Sequence, residues 1–580
     1  ARRIVLHGQG LEVGEARAVA GSRTVSARWR VLDADRGVAA VELDEEIGPG
    51  QVTLRIAYSA PFDRTLEGLY RVQVQDDWYA FSQMEPLAAR KAFPCFDEPA
   101  FKAPFDVTLA IPSGMRAIGN GPEAESVTEG ERLRVRFERT PPLPSYLVAF
   151  AVGPLDIVEA TSIAPNDVRA RPLPLRGVAT RGQGPRLAHA LRHTPTIVAA
   201  LERWFGIEYP YAKLDLIAVP DFGAGAMENA GAITFRERLL LLGEDPPIAQ
   251  QRAFAFVTAH ELAHHWFGNL VTTAWWDDLW LNEAFATWME THALEQDFPE
   301  LRAEIAEVEV FADAIGADSL ATARRIREPI ASDHDVHNAF DDITYGKGAS
   351  ILAMFEAYLG EDVFRRGVQS YLRSHEHGTA AAGDLLAALD RAAGRDVATA
   401  FATFLDQSGT PFVRVEASCE EGRPRLTLAQ SRYLPLGSHA EAERVWQVPV
   451  CVRYQLGGQS GGELRRACTL LDRPQGELAL EGCPDWVMPN ADGIGYYVWS
   501  LPAPQLEALR TRGMARLSAR EQLAVAQNVR QAERAGGIAY ADALALLVPL
   551  ASSTERELAT SAMGLLERGI DRLVDASERD

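Results

Sequence analysis

FAFVTAHELAHHWFGNLVTTAWWDDLWLNEAFATWMETHALEQ, residues 254–296, is the stretch on which the reading of this chain turns. It holds His260-Glu261-x-x-His264 and, beyond a connector, Glu283. The lead-in from Phe254 to Ala259 contains neither Gly nor Pro, so a helix carries the motif. Residues four apart on a helix share a face. His260 and His264 therefore aim their imidazoles at a common point, while Glu261 projects from a neighbouring angle. Asn282 to Gln296 reads as a second helix that presents Glu283, and Val271 to Trp276 reads as a buried connector between the two. Two histidines and a distant carboxylate leave one tetrahedral position open, the arrangement of a catalytic zinc rather than a structural one. His260, His264 and Glu283 are the expected ligands of one Zn2+ per chain. Glu261 is the expected base, placed to deprotonate a water at the open position, where zinc lowers its pKa to about 7. His265 lies about 100° further round the helix than His264 and should not reach the metal.

Three more segments flank this one in order: Phe93-Pro94-Cys95-Phe96-Asp97-Glu98-Pro99, Gly225-Ala226-Met227-Glu228-Asn229 and Tyr345-Gly346-Lys347-Gly348-Ala349. Together with His260 to Ala286 they make the chain resemble the zinc aminopeptidases of the aminopeptidase N and leukotriene hydrolase group. His265 stands where that family often has Gln or Ser, and Ala284 where Gly is common. The resemblance implies a multidomain fold: an N-terminal β-sheet domain, a thermolysin-like α+β catalytic domain, a small β-sandwich and the start of a helical C-terminal domain. It implies that Glu228, and Glu85 in Ser82-Gln83-Met84-Glu85, bind the ammonium of a peptide with a free N-terminus. Gln83 then sits beside the first side chain of that peptide, and Gly225, Ala226 and Met227 line its path. Tyr345 is the expected donor to the oxyanion. The expected activity is release of N-terminal amino acids from peptides. An epoxide hydrolase of the same family and a catalytically silent zinc scaffold are the rivals. A scaffold needs none of Glu261, Glu228 and Tyr345, and an endopeptidase needs neither Glu228 nor Glu85.

Smaller features take plainer readings. Gly223-Ala224-Gly225-Ala226 lacks the third glycine of a dinucleotide fingerprint. Close approach of a substrate main chain to a strand edge accounts for it better, with Ala224 as a roomy floor and Phe340 as a wall of the same pocket. Asp277 and Asp278 are candidates for orienting the imidazoles, against helix capping or solvent contact.

With 580 residues the chain should form roughly three to five domains. Its 47% hydrophobic and 24% charged residues fit a globular protein. The net charge of −22 argues against a nucleic-acid partner. No apolar run approaches the roughly 20 residues of a membrane span. Residues 1–160 alternate in β fashion, as in Val52, Leu54, Ile56, Tyr58 and again in Leu133, Val135, Phe137. Residues 161–408 form the catalytic part, 409–500 a β-sandwich, and 501–580 helices, with capping boxes at Ser518/Glu521 and Thr554/Glu557. Both terminal domains look incomplete against the resemblance. Oligomeric state is not legible. Among five cysteines, Cys419, Cys451, Cys468 and Cys483 cluster late in the chain. Reduced thiols are the default at this density, whereas disulfides among the four imply export. The compartment is not legible in the sequence, with a soluble cytoplasmic protein slightly favoured over an exported one.

Overall fold

Alternating side chains build the N-terminal layer. In a computed structural model, which describes residues 1–457, 462–575 and 577, strand Thr53–Ser59 turns Leu54 and Ile56 inward and leaves Thr53 and Arg55 in solvent. It is the edge of a five-stranded antiparallel sheet completed, in spatial order, by Glu12–Ala20, Arg23–Asp33, Val38–Leu43 and Arg3–His7. A second sheet pairs Gly68–Val74, Asp77–Gln83, Phe150–Gly153 and Arg116–Gly119. Its Tyr70 and Phe81 belong to the same apolar core as Ile217 and Leu262 of the catalytic part. The Tyr70 hydroxyl donates to the Asp221 carbonyl at 3.0 Å across this junction. Strand Asp77–Gln83 ends at the junction and so delivers Gln83 and Glu85 to the catalytic cleft.

The catalytic sheet runs Leu155–Glu159, Leu175–Thr180, Leu214–Val219, Ala232–Arg236, Ala226–Met227. Leu214–Val219 is buried at every position, as a strand with parallel neighbours on both sides requires. Its one charge, Asp215, is neutralised by Lys213 and Arg176, each at 2.7 Å. Ala226–Met227 lies at the open edge, antiparallel to its only neighbour. Helix Ile248–Ala263 carries the histidine motif, and helix Trp280–Leu294 carries Glu283. Between them Thr272–Thr273 pairs with Thr379–Ala380 and is buried, whereas Trp275 of the expected buried connector is exposed.

Tyr345 is set by a third helix. A Cβ on Gly348 would stand 2.5 Å from the Ala284 Cβ, so helix Gly348–Leu359 closes on the Glu283 helix through two small residues. The wide turn Ile343–Lys347 precedes it and bears Tyr345. Lys347 from that turn is fully buried, with Nζ 2.9 Å from Asp318 Oδ2 and 3.0 Å from the Gln407 carbonyl. Asp318 also accepts the Gly409 amide at 2.7 Å and the Tyr496 hydroxyl at 3.1 Å. One carboxylate thus ties the Tyr345 turn to the sandwich.

That sandwich has one sheet of Gln475–Ala479, Arg425–Arg432, Pro411–Ser418 and Val498–Ser500, and another of Leu464–Leu471, Val448–Leu456 and Pro484–Met488. Cys451 and Cys468 face each other in register and form a disulfide, and Cys419 pairs with Cys483. The default of reduced thiols is corrected here: strand register and the approach of two loops, neither visible in cysteine spacing, bring the four into pairs. Helices follow. The Ser518/Glu521 box caps helix Ala519–Arg534. The Thr554/Glu557 box does not form. The helix starts at Arg556, while Glu555 and Glu557 are drawn into ion pairs with Arg302 at 2.6 Å and Arg252 at 3.4 Å. Among the described residues no helix is long and apolar enough to cross a membrane.

Lys347→Met should cost about 3–5 kcal/mol, because Asp318 is left as a buried uncompensated charge. Adding Asp318→Asn should recover part of the loss. Urea denaturation of the two variants tests this, and equal midpoints for Lys347→Met and the parent would contradict it.

Candidate active site

His260, at the end of its helix, and His264, one turn on, direct their Nε2 atoms to the same point, 3.1 Å apart. Glu283 Oε2 closes the group at 3.4 Å from His260 Nε2 and 3.3 Å from His264 Nε2. The three donor atoms lie within 4.8 Å of one another and form a group that could hold a metal ion. The donor types, two imidazoles and a carboxylate, fit a divalent cation with an open coordination position. His265 is buried between the rings of Tyr209 and Tyr211, with centroids at 5.0 and 5.2 Å, and stands outside the donor group.

Further carboxylates converge on the same space. Glu261 is buried, and burial followed by the Glu228 charge raises its pKa to about 8 against the pull of the histidines. Burial raises Glu228 as well. Glu85 is pushed well up by burial and then by Glu228, Glu283 and Glu261. Oε1 of Glu85, Oε1 of Glu228 and Oε1 of Gln83 are buried without a hydrogen-bond partner. Gln83 Nε2 meets Met227 Sδ at 3.5 Å. Glu283 alone is held down, to about 2, because the His264 and His260 rings outweigh its burial. Three of the four carboxyls are thus shifted toward their neutral forms by burial and by one another, and cations beside them would favour the charged forms. Tyr345 stacks on His260 with ring centroids 5.9 Å apart, and its hydroxyl reaches Glu283. Burial, then the charges of Glu283 and Glu85, hold its phenol well above the ordinary range, so it is a hydrogen-bond donor at neutral pH.

Gly225, exposed, leads into the Ala226–Met227 edge strand, where Met227 is buried and Ala226 half-buried. Asn269 Nδ2 donates to the Glu228 carbonyl at 2.8 Å and fixes the main chain there. Ala224 is exposed, and Phe340 packs half-buried against the main core.

The sequence that builds this site matches known families. The Peptidase family M1 domain matches residues 189–404, and the Peptidase M1 N-terminal domain matches residues 1–147. The chain belongs to peptidase family M1. It is 34% identical over 517 residues to Aminopeptidase M1 of Arabidopsis thaliana, covering 86% of this chain and 57% of that protein. It is 35% identical to Puromycin-sensitive aminopeptidase of Caenorhabditis elegans, covering 79% of this chain and 48% of the relative. It is 37% identical to Leucyl aminopeptidase of Saccharolobus solfataricus, covering 75% and 53%. The chain spans about half the length of these curated relatives.

In this M1 chain the imidazoles are oriented by groups other than Asp277 and Asp278. Asp278 accepts the Ala382 amide at 2.8 Å and the Trp280 indole at 3.2 Å, and so holds a helix start. His260 Nδ1 instead meets Glu290 Oε1 at 2.9 Å, and His264 Nδ1 meets the Phe267 carbonyl at 3.1 Å. Glu290 lies two turns beyond Glu283 on the same helix face, a spacing that could have revealed it. A carboxylate on the far nitrogen fixes the ring and raises its basicity. Glu290→Gln should lower metal affinity about 10- to 100-fold with no loss of fold. Chelator competition measures it, and unchanged affinity would remove Glu290 from the metal site.

Proposed function

We propose that this chain is a zinc-dependent aminopeptidase that releases N-terminal amino acids from peptides. The observation that carries the reading is the pair Glu85 and Glu228, each with a buried unpartnered carboxylate oxygen beside the His260, His264 and Glu283 group. An α-ammonium offers three donors and one positive charge to that pair. His260, His264 and Glu283 would hold a zinc ion, which would supply Lewis acidity toward the scissile carbonyl and the attacking water. Glu261 accepts the proton of the attacking water and passes it to the leaving amine. Tyr345 donates to the carbonyl oxygen as negative charge develops there. Gln83 and Met227 border the first side chain. The substrate main chain adds beside the open edge of Ala226–Met227, approached over Gly225.

The carboxylate pair also separates this reading from its rivals. An epoxide presents no cation to Glu85 and Glu228, and a silent scaffold has no use for Tyr345 or Glu261 at the mouth of the metal group. The partners are peptides with a free N-terminus. Disulfides belong to oxidising compartments, so a cytoplasmic location requires that Cys419, Cys451, Cys468 and Cys483 stay reduced in the cell.

Glu261→Gln should keep zinc and lose about 100- to 10,000-fold in turnover, whereas Ala at His260, His264 or Glu283 should lower zinc content itself. Metal analysis beside kcat separates the two classes, and a zinc-loaded Glu261→Gln with normal rates would refute the mechanism. Tyr345→Phe should lower kcat by about 100- to 1,000-fold with little change in KM; a raised KM at normal kcat would reassign Tyr345 to binding. Glu228→Gln should reduce kcat/KM on aminoacyl amides at least tenfold, since a charge-assisted contact contributes about 1.5–3 kcal/mol. Full kcat/KM in that variant would dissociate Glu228 from the ammonium.

A further inference from the structure

Lys102 holds a half-buried amine for which the chemistry above has no use. It stands in the N-terminal part, on a segment fixed by reciprocal main-chain bonds between Ala103 and Leu143, both 2.9 Å. Its Nζ donates to three main-chain carbonyls: Asn269 at 2.8 Å, Leu270 at 3.1 Å and Gly378 at 3.1 Å. No carboxylate among the described residues forms an ion pair with it. Burial draws its pKa down to about 7. The carbonyl cage acts the other way. An ammonium has three N–H donors for three acceptors, whereas a neutral amine would turn its lone pair on one of them.

The three carbonyls are not at random places. Asn269 and Leu270 form the turn that closes the histidine helix, with their amides bonded to the His264 and His265 carbonyls at 3.0 and 3.1 Å. Gly268 adopts φ +122° there, a conformation that glycine tolerates best. The Gly378 carbonyl also takes the Thr272 amide at 3.2 Å, which joins the far end of the same turn to the Thr379–Ala380 strand. From this turn the Asn269 side chain reaches the Glu228 carbonyl, and the Phe267 carbonyl reaches His264 Nδ1. Three carbonyl oxygens aimed at one point repel one another unless a cation lies between them.

We infer that Lys102 is a positioning residue: its ammonium gathers the carbonyls of Asn269, Leu270 and Gly378, and through the Asn269 amide it fixes where Glu228 meets the substrate ammonium. The inference rests on the aminopeptidase reading for its kinetic consequence. For its structural consequence it rests only on the cage.

The test uses the full zinc-loaded chain. Lys102→Met fills the space without the charge. It should raise KM for peptides with a free N-terminus about tenfold or more, with a smaller change in kcat and unchanged zinc content. Lys102→Ala removes the atoms of one propylammonium. Added propylammonium should restore its KM, and equimolar 1-propanol should not. Amide hydrogen exchange in residues 267–272 should rise in both variants and fall again in Lys102→Ala with propylammonium. Should Lys102→Ala not fold, Lys102→Met carries the kinetic and exchange arms. Wild-type KM and exchange in Lys102→Met, or equal rescue by propanol, would overturn the inference. A wild-type chain that releases no N-terminal residue would sink the aminopeptidase reading instead, and the exchange arm would still decide the role of Lys102.

Discussion

Four carboxylates, Glu85, Glu228, Glu261 and Glu283, meet two imidazoles in a space that largely excludes water. Charges of one sign are costly to gather under such conditions unless opposite charge joins them. The rest of the structure serves that requirement. One helix supplies Glu261 and the histidines, a second supplies Glu283, the residue after a sheet-edge strand is Glu228, and the turn after an N-terminal strand holds Glu85. The arrangement is thus a property of the junction between the second N-terminal sheet and the catalytic part, whose Tyr70, Phe81, Ile217 and Leu262 belong to one apolar core.

Two lysines away from the chemistry fix other segments around the site. Lys347 and Asp318 hold the Tyr345 turn against the sandwich, and Lys102 holds the turn after the histidine helix against the N-terminal part. Both lysines work at distances where a point charge with three donors satisfies several acceptors at once. Small residues do the complementary work, since Gly348 and Ala284 let two helices approach until Tyr345 faces His260.

Much of this was legible in the sequence because local periodicity carried it. Helical spacing places His260, Glu261 and His264 without any tertiary knowledge, and strand alternation exposes the sheets around Leu54 and Val135. The unread parts depend on partners distant in the chain. Glu290 became an orienting group because the two helices pack with His260 opposite it. The capping pattern at Thr554 and Glu557 lost to ion pairs with arginines far upstream. Cys451 and Cys468 pair because the strands between them fall into a particular register. Nothing in the residues around Lys102 announces three carbonyls contributed by segments remote from it.

The proposed function requires two cations at the site, a metal among His260, His264 and Glu283 and an α-ammonium between Glu85 and Glu228. The most direct measurement compares two peptides that differ only by an N-terminal acetyl group, with the zinc-loaded chain and amino-acid analysis of the products. The free peptide should lose its first residue, and its acetylated twin should stay intact because the second cation is gone. Comparable cleavage of the acetylated peptide would contradict the account, whatever the metal content of the chain.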